Sequence, residues 1–216
     1  MRKILCLMVL LLILTGCIKE NKINYSYDRV ELNIIGTINA GCNSSEDTYL
    51  SHHYKDRHTY KLDFKNETDY YTSDIWTVYN VGNKQYLSYD HGQNFEEVES
   101  SGFETNYRQL FNEMLEIIKE SDKNIISETK NSKEYEIRVA GKENTIFVLL
   151  KKFGITSDDK IINDLKLNVT VNSDSNITKI SFNLKTTVSE EINIQSCYDV
   201  YWNLSDYNSS DIKIEI

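Results

Sequence analysis

Hydrophobic residues along this chain repeat with two different periods, and the places where the period changes outline the fold. From residue 30 the alternation is strict. Val30, Leu32, Ile34, Gly36 and Ile38 alternate with Glu31, Asn33 and Thr37; His58, Tyr60, Leu62 and Phe64 alternate with Thr59, Lys61, Asp63 and Lys65. Neighbouring side chains on a strand point to opposite faces, so this pattern predicts half-buried antiparallel strands. The stretch 69–81 is rich in aromatic and β-branched residues, including Tyr70, Tyr71, Ile75, Trp76, Val78 and Tyr79. Gly82-Asn83 and Asp90-His91-Gly92-Gln93 turn the chain on either side of a strand at 84–89, which gives successive hairpins.

At residue 104 the period lengthens. Tyr107, Leu110, Phe111, Met114, Leu115 and Ile118 fall on one helical face, with Glu104 ahead of the run and Lys119 at its far end complementing the helix dipole. Alternation resumes over 123–130 and 134–140. A shorter helical stripe follows, Ile146, Leu149, Leu150 and Phe153, stopped by Gly154 as a C-cap. Three long alternating runs come next, at 165–171, 180–188 and 192–202, and Ile212, Ile214 and Ile216 predict a last strand. The total is roughly nine to eleven strands with two helices inserted midway, and no internal repeat or domain-scale linker. The economical fold is a single α+β domain over 30–216: a large antiparallel sheet that curls, with the two helices covering its concave face.

The first thirty residues follow another rule. Met1-Arg2-Lys3 is a short positive segment, and an unbroken apolar stretch runs from Ile4 to Leu14. That is the layout of a secretory signal, too short for a membrane span of roughly 20 residues. Leu14-Thr15-Gly16-Cys17 resembles the lipobox of bacterial lipoproteins. The resemblance implies that residues 1–16 are cleaved and that a diacylglycerol on the Cys17 thiol holds the chain to the extracytoplasmic face of the cell membrane. Residues 18–29 show no sustained period and read as the tether, so 17–29 is the expected lipidated N-terminus.

Removing Arg2 and Lys3 from the 24 basic residues leaves 22 against 33 acidic, a formal charge of −11. Such a surface is repelled by anionic headgroups and by nucleic acid, so attachment falls to the acyl group and nucleic-acid binding is excluded as an expectation. The chain has no proline, which leaves Asn, Asp, Ser and Gly to form its turns. With Cys6 in the signal and Cys17 acylated, Cys42 and Cys197 remain. Outside the cytoplasm they are either a disulfide or two separate thiols; spacing does not choose.

Candidate chemistry is sparse. Three of the four histidines lie in Ser51–His58, but no metal-ligand spacing is present, and a solvated loop leading into a strand is the better reading. No nucleophile elbow, phosphate loop or dinucleotide fingerprint occurs. The adjacent pairs Glu96-Glu97, Asp158-Asp159 and Glu190-Glu191 point to opposite faces of a strand and form no catalytic dyad. The expectation is a protein that is not an enzyme and carries no cofactor or metal. Fifteen tyrosines and two tryptophans remain; they either pack the sheet against the helices, the reading strand propensity favours, or line a groove for an amphipathic ligand.

The order of signal, tether, hairpins, helix, hairpin, helix and long terminal strands is similar to that of LolA/LolB-like envelope lipoproteins. Tyr79–Tyr86 resembles the hairpin before their first helix, and Leu204–Asn208 with Asp211–Ile214 resembles their C-terminal ending, without its usual proline. The resemblance implies an incomplete antiparallel barrel plugged by helices, able to hold acyl chains between sheet and helices. Trp76, Phe111, Met114, Leu115, Phe147 and Leu150 are then the lining residues, unless they close the core and leave no cavity. Two functions stay open: a non-enzymatic binding or carrier module for a hydrophobic or amphipathic ligand such as a lipid, and a surface lipoprotein that contacts another envelope protein with a filled core.

Overall fold

A computed structural model describes residues 22–40, 42, 54–73, 76–82, 84–98, 106–154, 161–187 and 195–208. Cys17 and its signal, His52, His53, Glu104 and the run 212–216 lie outside the described residues.

Six strands come first: β1 (Arg29–Ala40), β2 (Tyr54–Asp63), β3 (Thr68–Thr72), β4 (Thr77–Val81), β5 (Lys84–Ser88) and β6 (Glu96–Val98). Helix α1 (Tyr107–Glu120) leads to the hairpin β7 (Lys123–Glu128) and β8 (Ser132–Ile137), then to α2 (Glu143–Lys152). Three long strands finish the described chain: β9 (Ile161–Asn172), β10 (Ile177–Thr187) and β11 (Gln195–Ser205). The aromatic stretch 69–81 is thus two strands joined by a turn that carries Trp76. The first helix starts after residue 104 because the Asn106 side chain caps it, accepting from the Gln109 amide at 3.0 Å.

All eleven strands form one antiparallel sheet in the order β6-β5-β4-β3-β2-β1-β11-β10-β9-β8-β7. Each neighbour is the next strand in sequence except one: β11 returns to pair with β1, from Glu31↔Ser205 to Ala40↔Ser196. β6 and β7 are left as the two edges, so the sheet is not closed, and α1 carries the chain from one edge to the other. Beside the β1–β11 seam, Cys42 and Cys197 form a disulfide with Cα atoms 5.0 Å apart. Among the described residues no helix is long and apolar enough to cross a membrane.

Alternation sets the inner face. Leu32 and Ile34 of β1, Tyr60 and Leu62 of β2, Phe182 of β10, and Val200 and Trp202 of β11 are buried, and α1 lays Phe111, Met114, Leu115 and Ile118 on them. α2 adds Ile146, Phe147, Leu149 and Leu150. Each such side chain contributes about 1.5–3 kcal/mol by leaving water.

Two expectations need correction. Residues 22–28 are no free tether: Ile23 and Tyr27 are buried in the core, so this segment is part of the domain. Asn24 pairs with the β9–β10 turn through its amide to Ser175 O at 2.8 Å and its side chain to Asn176 at 3.1 Å. The irregular sequence hid this because only two of its residues face inward. His58 is a buried residue of β2, as its place at the head of the 58–64 alternation predicts, so the solvated-loop reading of 51–58 fails for it.

Candidate functional site

Most of the expected lining residues lie in the hydrophobic core. Phe111, Met114, Leu115, Phe147 and Leu150 are all in the hydrophobic core, packed between the helices and the sheet. Phe111 lies 6.4 Å in ring centroids from both Trp202 and Tyr27, and 6.2 Å from Phe64. Trp76 is the exception.

Trp76 walls a cavity of about 220 Å³ at the turn end of the β3–β4 hairpin. Its other walls are Tyr60 of β2, Tyr71 of β3, Val78 of β4, Tyr107 at the start of α1 and Phe153 just past α2. Gly154, Lys151 and Lys152 form the rim. Gly154 holds φ at +77°, a left-handed position that ends α2 and brings the backbone against the His58 ring.

Register explains why the aromatics meet. Tyr60 sits opposite Tyr71 across the β2–β3 ladder, with ring centroids 4.8 Å apart. Tyr107 approaches Tyr60 to 4.7 Å and Tyr71 to 5.7 Å; Phe153 meets Tyr60 edge-on at 5.1 Å. The hydroxyls are held in place. Tyr60 donates to Phe153 O at 3.1 Å, and the Tyr71 hydroxyl is 2.8 Å from His58 Nδ1. Burial, then the neighbouring Tyr71 and Asp69, push the Tyr107 phenol well above its usual range.

Behind the cavity, Asp69 of β3 fastens the first turn of α1. Its carboxylate is 2.6 Å from Arg108 Nε and accepts from the backbone amides of Tyr107 and Arg108. Burial pushes Asp69 up to about 6 in spite of those partners. A second buried carboxylate, Asp63, has the opposite balance. Burial is outweighed by Arg29 at 2.7 Å and by Asn66, which hold it below the usual range. Asp63 and Arg29 join the ends of β2 and β1.

The arrangement offers stacking and van der Waals contact with cations at the rim. It has no nucleophile with a base and an orienting group. Among the described residues no group of three or more His, Cys, Asp or Glu is placed to hold a metal. Two open grooves flank α1: one of about 590 Å³ beside Arg108, Glu113 and Phe64, the other of about 790 Å³ between residues 22–26 and Asn112, Glu116 and Lys119. Sequence reading missed Tyr60, Tyr71, Tyr107 and Phe153 as a group. Their membership depends on a cross-strand register and on where two helix termini land.

Comparison with known families and with curated proteins returns no match. Among solved structures the chain is similar to a LolA superfamily protein from Nitrosomonas europaea, at 11% identity, over 89% of this chain and 91% of that one, with a TM-score of 0.28.

Proposed function

We propose that this protein is a lipid-anchored lipoprotein of the cell envelope whose domain binds a hydrophobic or amphipathic ligand and performs no chemistry on it. The observation that carries the reading is the aromatic cavity at Trp76, walled by six apolar or aromatic side chains with two lysines at its rim. Its size sets the ligand. At about 220 Å³ it is smaller than the usual 300–1,000 Å³ small-molecule site and holds roughly seven atoms of the size of water, one ring or a short stretch of acyl chain. A whole diacyl lipid does not fit. The lipobox resemblance at Cys17 supports the anchor, and the order of hairpins, helices and long strands supports a LolA/LolB-like class.

Native mass spectrometry of residues 18–216 purified from the native host tests this reading. A retained small hydrophobic molecule, lost in Trp76→Ala, is the expected result; an empty protein that also fails to bind short-chain amphiphiles counts against it. A second reading, contact with another envelope protein, is favoured by Ile125 and Ile126 on the edge strand β7, 47% and 51% exposed. In that case substitutions on β7 abolish function and Trp76→Ala does not.

A further inference from the structure

We infer that the aromatic cavity holds a zwitterion of the phosphocholine class, its quaternary ammonium among the rings and its anion at Lys151 and Lys152. The inference rests on the ligand-binding reading above and narrows its broad ligand class to one kind of head group. It requires neither the lipid anchor nor the fold family.

The walls select the cation. Tyr60, Tyr71, Trp76, Tyr107 and Phe153 are aromatic, and Val78 is the one aliphatic wall. A hydrocarbon chain gains as much from leucine or valine as from a ring, whereas a cation is drawn to the negative face of an aromatic ring. The centroids of Tyr60, Tyr71 and Tyr107 lie 4.7, 4.8 and 5.7 Å apart, so one cation seated over them falls within about 6 Å of all three. Hydrogen bonding sharpens the choice. The Tyr60 hydroxyl is engaged with Phe153 O and the Tyr71 hydroxyl with His58 Nδ1. A primary ammonium brings N–H donors that these walls leave short of acceptors; a quaternary ammonium has none to satisfy. A trimethylammonium group with its first methylene is smaller than the roughly seven water-sized atoms the cavity holds.

The rim selects the anion. Helix α2 ends at the cavity, with Lys151 and Lys152 in its last turn and Phe153 as its C-cap. The partly negative end of a helix favours a positive group beside it, which suits the cation among the rings. Lys152 is exposed and Lys151 half-buried. Two ammonium groups at the mouth repel a simple cation and bind a phosphate as point charges. None of the described lining residues is acidic. The Asp69–Arg108 pair behind Tyr107 carries one charge of each sign and leaves that balance unchanged. A simple anion meets the rim but places only an uncharged tail among the rings. A zwitterion with a short linker between its charges matches both.

The test is titration calorimetry on the full chain, purified in dodecyl maltoside. Phosphocholine and glycerophosphocholine are compared with phosphoethanolamine and with 3,3-dimethylbutyl phosphate, in which a neutral carbon replaces the quaternary nitrogen. The inference expects one of the choline compounds to bind about ten-fold tighter than either comparison compound, the size of a desolvated cation–π contact. Tighter binding of the glycerol diester assigns a lipid headgroup as the source, and tighter binding of the monoester assigns free phosphocholine. Trp76→Leu keeps an apolar wall and removes most of the preference. Lys151→Ala with Lys152→Ala weakens phosphocholine several-fold and strengthens tetramethylammonium, a pair of opposite changes that loss of folding does not produce. Equal or tighter binding of either comparison compound to the parent overturns the inference and leaves the binding site standing. If none of these compounds binds, the inference fails, and hexanoate separates the two readings: its binding preserves the ligand-binding function, and its failure overturns that as well.

Discussion

The two ends of α1 face the same sheet in different chemistry. Over β10 and β11, Phe111, Met114, Leu115 and Ile118 meet Trp202 and Phe182 in a dry core, where even the Trp202 indole N–H has no acceptor. Over β2–β4, one turn earlier, Tyr107 meets Tyr60 and Tyr71, the latter beside the buried His58, and Arg108 meets the buried carboxylate of Asp69. Aliphatic and phenyl groups interdigitate freely and fill their space. Tyrosines tied by hydroxyl partners to fixed backbone and histidine atoms keep one orientation, and the 220 Å³ cavity lies among them. A cavity in this protein therefore accompanies polar fixation, not a shortage of apolar residues.

The largest break in that contrast is Phe111→Asp. A carboxylate in the dry core costs several kcal/mol, and the expected outcome is loss of the cooperative thermal transition followed by circular dichroism. A melt like the parent's refutes the core placement. Next is the disulfide. Cys42→Ser with Cys197→Ser removes a crosslink spanning 155 residues and lowers stability by about 2–5 kcal/mol, read from the denaturant midpoint. Hydrogen exchange then rises first in β1 and β11, and only afterwards in β3–β5.

Asp69 tests the polar end. Its folded pKa, about 6, lies above the ordinary 3.8, so the stability linked to its protonation is fully present below pH 4 and lost as pH rises through 6. The shift is about 3 kcal/mol at most. Asp69→Asn should flatten the fall in melting temperature between pH 4 and 7 relative to the parent; parallel profiles sink the assignment. Trp76→Ala is expected to cost about 1 kcal/mol or less, because the ring is only half-buried, while abolishing binding of a short-chain amphiphile measured by calorimetry. The smallest effect belongs to Ile126→Lys on the exposed edge, within about 0.5 kcal/mol in chemical denaturation.

Much of the fold was legible. The α1 stripe from Tyr107 to Ile118 is the buried face observed, and the alternations of β1, β9, β10 and β11 are inner and outer faces of the sheet. Those patterns are local, set by the geometry of helix and strand. The site was not legible. Phe111, Met114, Leu115, Phe147 and Leu150 carry the same apolar signature whether they wall a cavity or fill it. Only packing of the two layers distinguishes these cases. Tyr60, Tyr71 and Tyr107 looked like ordinary strand and helix residues until register placed them together.

By itself the sequence determined the two helical stripes, the alternating faces of β1, β2 and β9 to β11, and the lipobox-like Leu14–Cys17, because periodicity and a contiguous motif are properties of neighbours along the chain. The tertiary structure alone decided that β11 returns to β1 and that Cys42 meets Cys197. It also decided that Ile23 and Tyr27 belong to the core and that Trp76 walls a cavity while Phe111 is fully buried. Each of these joins residues far apart in sequence, and only the packed sheet and helices bring their side chains within contact distance.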